Sequence, residues 1–138
     1  MRIEHTIDIA TPAERVWALT VDVESWPELS PTMTVVERLD DGPLRVGSSA
    51  RVKQPGQRAK VWTVTAVEPG RRFAWRSRVF GTDMTGTHTL HPTEQGTANT
   101  LTIDMAGRGS GLVGRVMGRQ IHKSLATENA GFKRAAEA

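Results

Sequence analysis

GRGSGLVG, residues 107–114, contains GSGLVG and so matches G-x-G-x-x-G, the glycine fingerprint of dinucleotide-binding units. Five glycines (Gly107, Gly109, Gly111, Gly114 and Gly118) crowd this region. The fingerprint works inside a βαβ unit. There the pyrophosphate rests on the helix N-terminus, and an acidic residue about twenty positions on, after a second parallel strand, holds the ribose. Glu128 has roughly that spacing but falls inside a helical segment, and the strands before the run form a meander. The match is accidental, and the fold is not doubly wound. Gly114 and Gly118 each cost a helix on the order of 1 kcal/mol relative to alanine. Two readings account for them: close packing of the helix start against a sheet, or a movable lid over a cavity.

Outward from this run the periodicity is clear. Downstream, Leu112 to about Ala136 reads as a helix roughly 35–40 Å long. Val113, Met117, Ile121, Leu125 and Phe132 recur on one stripe, with Arg115, Arg119, Lys123 and Lys133 mostly off it. Upstream, six segments read as strands: 33–39, 49–54, 60–67, 72–80, 84–91 and 99–106. Turn chemistry separates them: Asp40-Asp41-Gly42-Pro43, Pro55-Gly56, Glu68-Pro69-Gly70, Gly81 and residues 92–96. Residues 2–10 alternate Ile3, His5, Ile7 and Ile9 against Glu4, Thr6 and Asp8, a half-buried strand. Thr11-Pro12-Ala13-Glu14 then predicts a short helix with Thr11 as its cap. A second helical turn is predicted over Asp22 to Trp26, ended by Pro27.

With 138 residues the chain reads as one domain, 1–138, able to bury its own core. Cysteine is absent, which excludes disulfides, thiol nucleophiles and thiolate metal sites and suits a reducing cytoplasm. No segment reaches the roughly 18 apolar residues of a membrane span, and residues 1–16 lack a signal-peptide core. The expectation is a soluble cytoplasmic protein without stable membrane insertion. The net charge is +3, but the basic residues are scattered, and no nucleic-acid partner is expected.

One strand, two short helices, six antiparallel strands and a long final helix resemble the START-like (SRPBCC, helix-grip) superfamily, in particular its bacterial polyketide cyclase/dehydrase and lipid transport group. The likeness rests on Pro12-Ala13-Glu14-Arg15-Val16-Trp17, Asp22 and Trp26-Pro27, and on Val67-Glu68-Pro69-Gly70-Arg71-Arg72. Gly86, His88 and Leu90, and then Gly96-Thr97, complete it. The resemblance implies an α+β, helix-grip fold: a curved seven-stranded antiparallel sheet around the C-terminal helix, with two short helices after the first strand. An elongated cavity would lie between sheet and helix. The family has no single catalytic set, so no mechanism transfers with the fold.

Strand parity assigns faces. Phe73, Trp75 and Ser77 share the inner side of their strand, opposite Arg72, Arg76 and Arg78. Met84, Gly86, His88 and Leu90 go together, and Leu101, Ile103 and Met105 follow on the last strand, with Trp62 and Val64 inner on theirs. Val113, Met117, Ile121 and Leu125 close the roof. His88 and His91 fall on opposite faces and cannot share a metal, and no metal-ligand spacing exists. The expected ligand-binding set is therefore Trp62, Phe73, Trp75, Ser77, Met84, His88, Leu90, Ile103, Met105, Val113, Met117 and Ile121, with no cofactor. Trp17, Trp26 and Phe132 read as packing residues.

Three functions fit. The first is a non-catalytic carrier or sensor of a small hydrophobic molecule, with His88 and Ser77 as polar anchors. The second is a polyketide cyclase or dehydratase with His88 as acid or base, for which Glu37 and Glu128 are the candidate inner-face carboxylates. The third is a protein-interaction module whose cavity is filled by its own side chains.

Overall fold

The computed structural model describes residues 1–79 and 81–138. Its strands are β1 (Arg2–Ile9), β2 (Val35–Arg38), β3 (Ser49–Lys53), β4 (Lys60–Glu68), β5 (Arg72–Val79), β6 (Thr82–Thr93) and β7 (Gly96–Gly107). They form one antiparallel sheet in the order β1-β7-β6-β5-β4-β3-β2. Helices α1 (Ala13–Val21) and α2 (Trp26–Leu29), with a 3-10 turn at Val23–Ser25 between them, separate β1 from β2. Helix α3 (Ser110–Glu137) follows β7. This is the helix-grip arrangement that the family resemblance implied. The strand expected over 72–80 is observed to Val79; Phe80 lies outside the described residues.

The departures are local. The turn expected at 92–96 shrinks to Glu94-Gln95, because Pro92 and Thr93 stay paired with Thr97 and Gly96. Pairing with β5 ends at Thr89, so the missing N–H of Pro92 breaks no ladder on that side. Thr11 does not cap α1. The N-cap is Pro12, and the Thr11 hydroxyl donates instead to the Ala136 carbonyl at 3.0 Å. Arg15 Nε donates to the same oxygen at 2.7 Å, so residues beside β1 satisfy the open carbonyls at the end of α3. Pro27 does not end a helix; it sits in the first turn of α2, where its N–H is not needed.

The glycine run now has a structural account. Gly109 takes the left-handed N-cap position of α3 at φ 78°. A Cβ on Gly114 would lie 1.7 Å from the Met1 sulfur, so the helix start is closely packed on the beginning of the chain. At the other end, a Cβ on Gly131 would lie 2.1 Å from the Leu29 carbonyl oxygen, which brings α3 onto α2. Helix α3 packs against β1 and β7, and against α1 and α2. It therefore lies over the β1–β7 side of the sheet. A register shift between Val64 and Ala66 marks a bend in β4.

Candidate functional site

Strand parity is obeyed on the face turned toward α3. Phe73, Trp75, Ser77, His88, Leu90, Leu101 and Met105 are buried there, and Trp62 and Val64 join them from β4. Arg72, Arg76 and Arg78 are exposed on the other side. In the β5–β6 register Phe73 faces His88, Trp75 faces Gly86 and Ser77 faces Met84. Gly86 has a steric role, since a Cβ there would meet the Trp75 indole nitrogen at 3.3 Å.

Two zones follow along this inner face. The first is a closed aromatic cluster. Trp26 stacks on His88 with ring centroids 4.9 Å apart and also meets Trp75 at 5.0 Å. Phe73 and Phe132 stand edge-on to the imidazole at 5.8 and 5.5 Å. Trp62 extends the cluster by lying 5.6 Å from Trp75. Side chains thus fill this end of the interior. His88 Nδ1 is buried with no hydrogen-bond partner. Burial among these rings pushes the imidazole down to about 3, so it is neutral at ordinary pH.

The second zone is looser. Met84, Ile103, Val113 and Ile121 are only half-buried. Met117, expected in the roof, keeps 41% of its surface exposed. Leu101, Met105 and Leu125 are buried but stand outside the main contiguous apolar cluster.

Glu128 lies one helical turn before Phe132, whose ring meets His88 in the first zone. It lies on the stripe between Leu125 and Phe132, and about 100° round the helix from Asn129, its neighbour in sequence. Asn129 faces β1 and β7: it accepts a bond from Asn99 Nδ2 at 2.8 Å and donates to the His5 and Asn99 carbonyls, each at 3.1 Å. Glu128 is therefore turned away from those strands, toward the flank over the rest of the sheet. No hydrogen bond or ion pair holds its carboxyl among the described residues. The residue keeps part of its surface accessible, yet enclosure by protein pushes the carboxyl up to about 8. Glu128 and His88 form no hydrogen bond with each other.

A depression of about 630 Å³ lies on the opposite face of the sheet. Thr85, Thr87, Thr89, Thr100 and Thr102 line it, and it contains neither shifted group. A second cleft of about 450 Å³ runs beside Trp17, Arg38 and Leu44. Neither holds converging acid–base chemistry. Among the described residues no cluster of His, Asp and Glu could hold a metal.

Sequence reading missed two parts of this interior. Trp26 reads as a packing residue, and nothing local in the sequence places it over His88. The buried Asn99–Asn129 pair carries a faint signal, since Asn99 has the inner parity of Leu101 and Asn129 lies four residues after Leu125.

The family model for "Polyketide cyclase / dehydrase and lipid transport" matches residues 1–137. The chain belongs to this family. Among solved structures, the Zhui aromatase/cyclase from Streptomyces sp. R1128 is similar, with a TM-score of 0.80 and 21% identity over 99% of this chain and 93% of that one. Protein DR_A0006 from Deinococcus radiodurans has a TM-score of 0.67 and 26% identity, covering 99% of this chain and 97% of that chain. The hypothetical protein jhp0584 from Helicobacter pylori reaches a TM-score of 0.83 at 10% identity, over 99% and 88% of the two chains. No curated protein matches. No helix among the described residues is long and apolar enough to cross a membrane.

Proposed function

We propose that this family member binds a small, largely apolar molecule of lipid or polyketide class between the sheet and the flank of α3. The observation that carries this reading is the Glu128 carboxyl, which has no hydrogen-bond or ion-pair partner and stands on the α3 stripe between Leu125 and Phe132, where burial pushes it up to about 8. A desolvated polar group left without a partner is costly in a finished core. It is well suited to a ligand that supplies the missing hydrogen bond, with apolar burial contributing most of the affinity at about 25 cal/mol per Å². Protonated at neutral pH, Glu128 donates to a ligand carbonyl or hydroxyl. Ser77 and His88 are the further polar groups, and Trp62, Phe73, Trp75, Leu90, Met105 and Met117 complete the apolar lining. A cytoplasmic location, suggested by the cysteine-free sequence, stays part of this proposal.

A second reading, cyclisation or dehydration of a polyketide-like substrate, gains support from the same carboxyl rather than from His88. An imidazole pushed down to about 3 is a weak base, whereas an acid near 8 can give a proton to a departing hydroxyl and recover one from a neighbouring C–H.

Native mass spectrometry of gently purified protein, followed by organic extraction, tests the proposal. A retained mass of a few hundred daltons, weakened in Glu128→Ala, is the expected result. A clean apo mass together with no uptake of fluorescent fatty-acid, sterol or polyketide probes would overturn it in favour of a filled interaction module. Turnover lost in Glu128→Gln while binding persists would select the enzymatic reading.

A further inference from the structure

The first half of α3, which includes Gly111, Gly114 and Gly118, carries an outer face unlike the rest of the surface. Leu112 is 67% exposed and Val116 is 73% exposed. They lie four residues apart and so share one ridge of the helix. Arg115, Arg119 and Lys123 flank this ridge, Arg108 stands just before the helix, and all four are exposed. None of the four forms an ion pair among the described residues, whereas arginines elsewhere (Arg2, Arg51, Arg72 and Arg78) do. Between Asp104 and Glu128 the chain has no acidic residue at all.

Exposed aliphatic side chains ringed by free cations ask for two things together: an apolar layer to enter and negative charge beside it. We propose that the outward face of α3 over residues 108–123 is a docking surface for an anionic lipid bilayer. Leu112 and Val116 enter the headgroup–acyl boundary, while Arg108, Arg115, Arg119 and Lys123 meet lipid phosphates. Charge complementarity selects this occupant. A second copy would bring the same unpaired cations against themselves. A nucleic acid would match the charge but leave the aliphatic ridge in water, and the face has no exposed aromatic ring for bases. Ile121, about 160° round the helix from this ridge, is half-buried. Docking therefore places the looser end of the interior against the membrane surface. The proposal concerns the outer face and does not require that the interior hold a ligand.

Vesicle co-sedimentation tests it, using phosphatidylcholine vesicles with and without about 30 mol % phosphatidylglycerol. The protein is expected to partition to the anionic vesicles and to be released by about 0.5 M NaCl, where screening is nearly complete. Leu112→Ser/Val116→Ser, and separately Arg115→Gln/Arg119→Gln, should each lower the partition coefficient by about tenfold with an unchanged circular dichroism spectrum. Equal binding to both vesicle types, no binding to either, or wild-type partitioning of both double variants would overturn the proposal. So would a dimer in solution that the Leu112/Val116 variant dissolves, because a second copy would then cover the face.

Discussion

The indole of Trp26 lies over the imidazole of His88, with centroids 4.9 Å apart and planes 30° from parallel. This stack, closed by Phe73 and Phe132, keeps the imidazole away from water and so makes its protonation costly. The consequence appears in the unfolded chain, where His88 regains its ordinary value near 6.5. Between that value and about 3 the unfolded state binds the extra proton, so stability falls as the pH drops through this window. The contribution amounts to about 2 kcal/mol between pH 7 and pH 5. His88→Leu should lose that acid sensitivity while staying within about 1 kcal/mol of wild type at pH 7, since it removes an unpartnered nitrogen along with the stack. Urea unfolding at several pH values reads both quantities. An unchanged acid slope would show that His88 is not the group responsible.

Glu128 acts in the opposite sense. Its folded value near 8 exceeds the ordinary 4.5, so the folded state holds the proton more tightly and stability falls as pH rises from 4.5 to 8. Glu128→Gln should flatten this limb and stabilise the protein at pH 8 by on the order of 2 kcal/mol or more. Because the two groups oppose each other between 4.5 and 6.5, wild type should show a plateau there. Each single variant should tilt it, in opposite directions.

The glycines of α3 divide by what surrounds them. A Cβ on Gly118 would meet only Ile3 Cδ1 at 4.0 Å, an ordinary contact, so Gly118→Ala should stabilise by up to about 1 kcal/mol. Gly131→Ala would drive a methyl into the Leu29 backbone and should destabilise by roughly 1–3 kcal/mol. Thermal denaturation of the pair should move the melting temperature in opposite directions.

Asn129 is wholly buried and holds β1, β7 and α3 together through Asn99 and His5. Asn129→Leu keeps the number of side-chain heavy atoms but leaves Asn99 Nδ2 without its acceptor. The expected loss is about 2–4 kcal/mol, with early hydrogen exchange in β1. A loss below about 0.5 kcal/mol would mean that water replaces the pair.

Alternation made the sheet and its faces legible. Phe73, Trp75, Ser77, His88 and Leu90 could be assigned inward because each strand has period two, and the helix stripe placed Leu125 and Phe132 against them. What parity cannot convey is which inward residues meet across the core. The Trp26–His88 stack joins residues 62 positions apart on different elements, and no local pattern encodes it. The same limit explains Thr11. Its sequence context favours a helix cap, but the competing acceptor, Ala136 O, arrives from a helix 125 residues away.

The pairing of the first strand with the last has a bearing on how the chain acquires its shape. Arg2 finds its neighbour only when Asp104 is in place, and the Thr11 and Arg15 side chains wait for the carbonyl of Ala136. During synthesis β1 therefore leaves the ribosome long before anything can cover it, and the meander from β2 onward must assemble first, hairpin by hairpin. Closure comes as a late, long-range step whose loop entropy makes it slow. A nascent chain stopped before residue 97 should stay sensitive to proteases at β1, because the strand that would protect it does not yet exist.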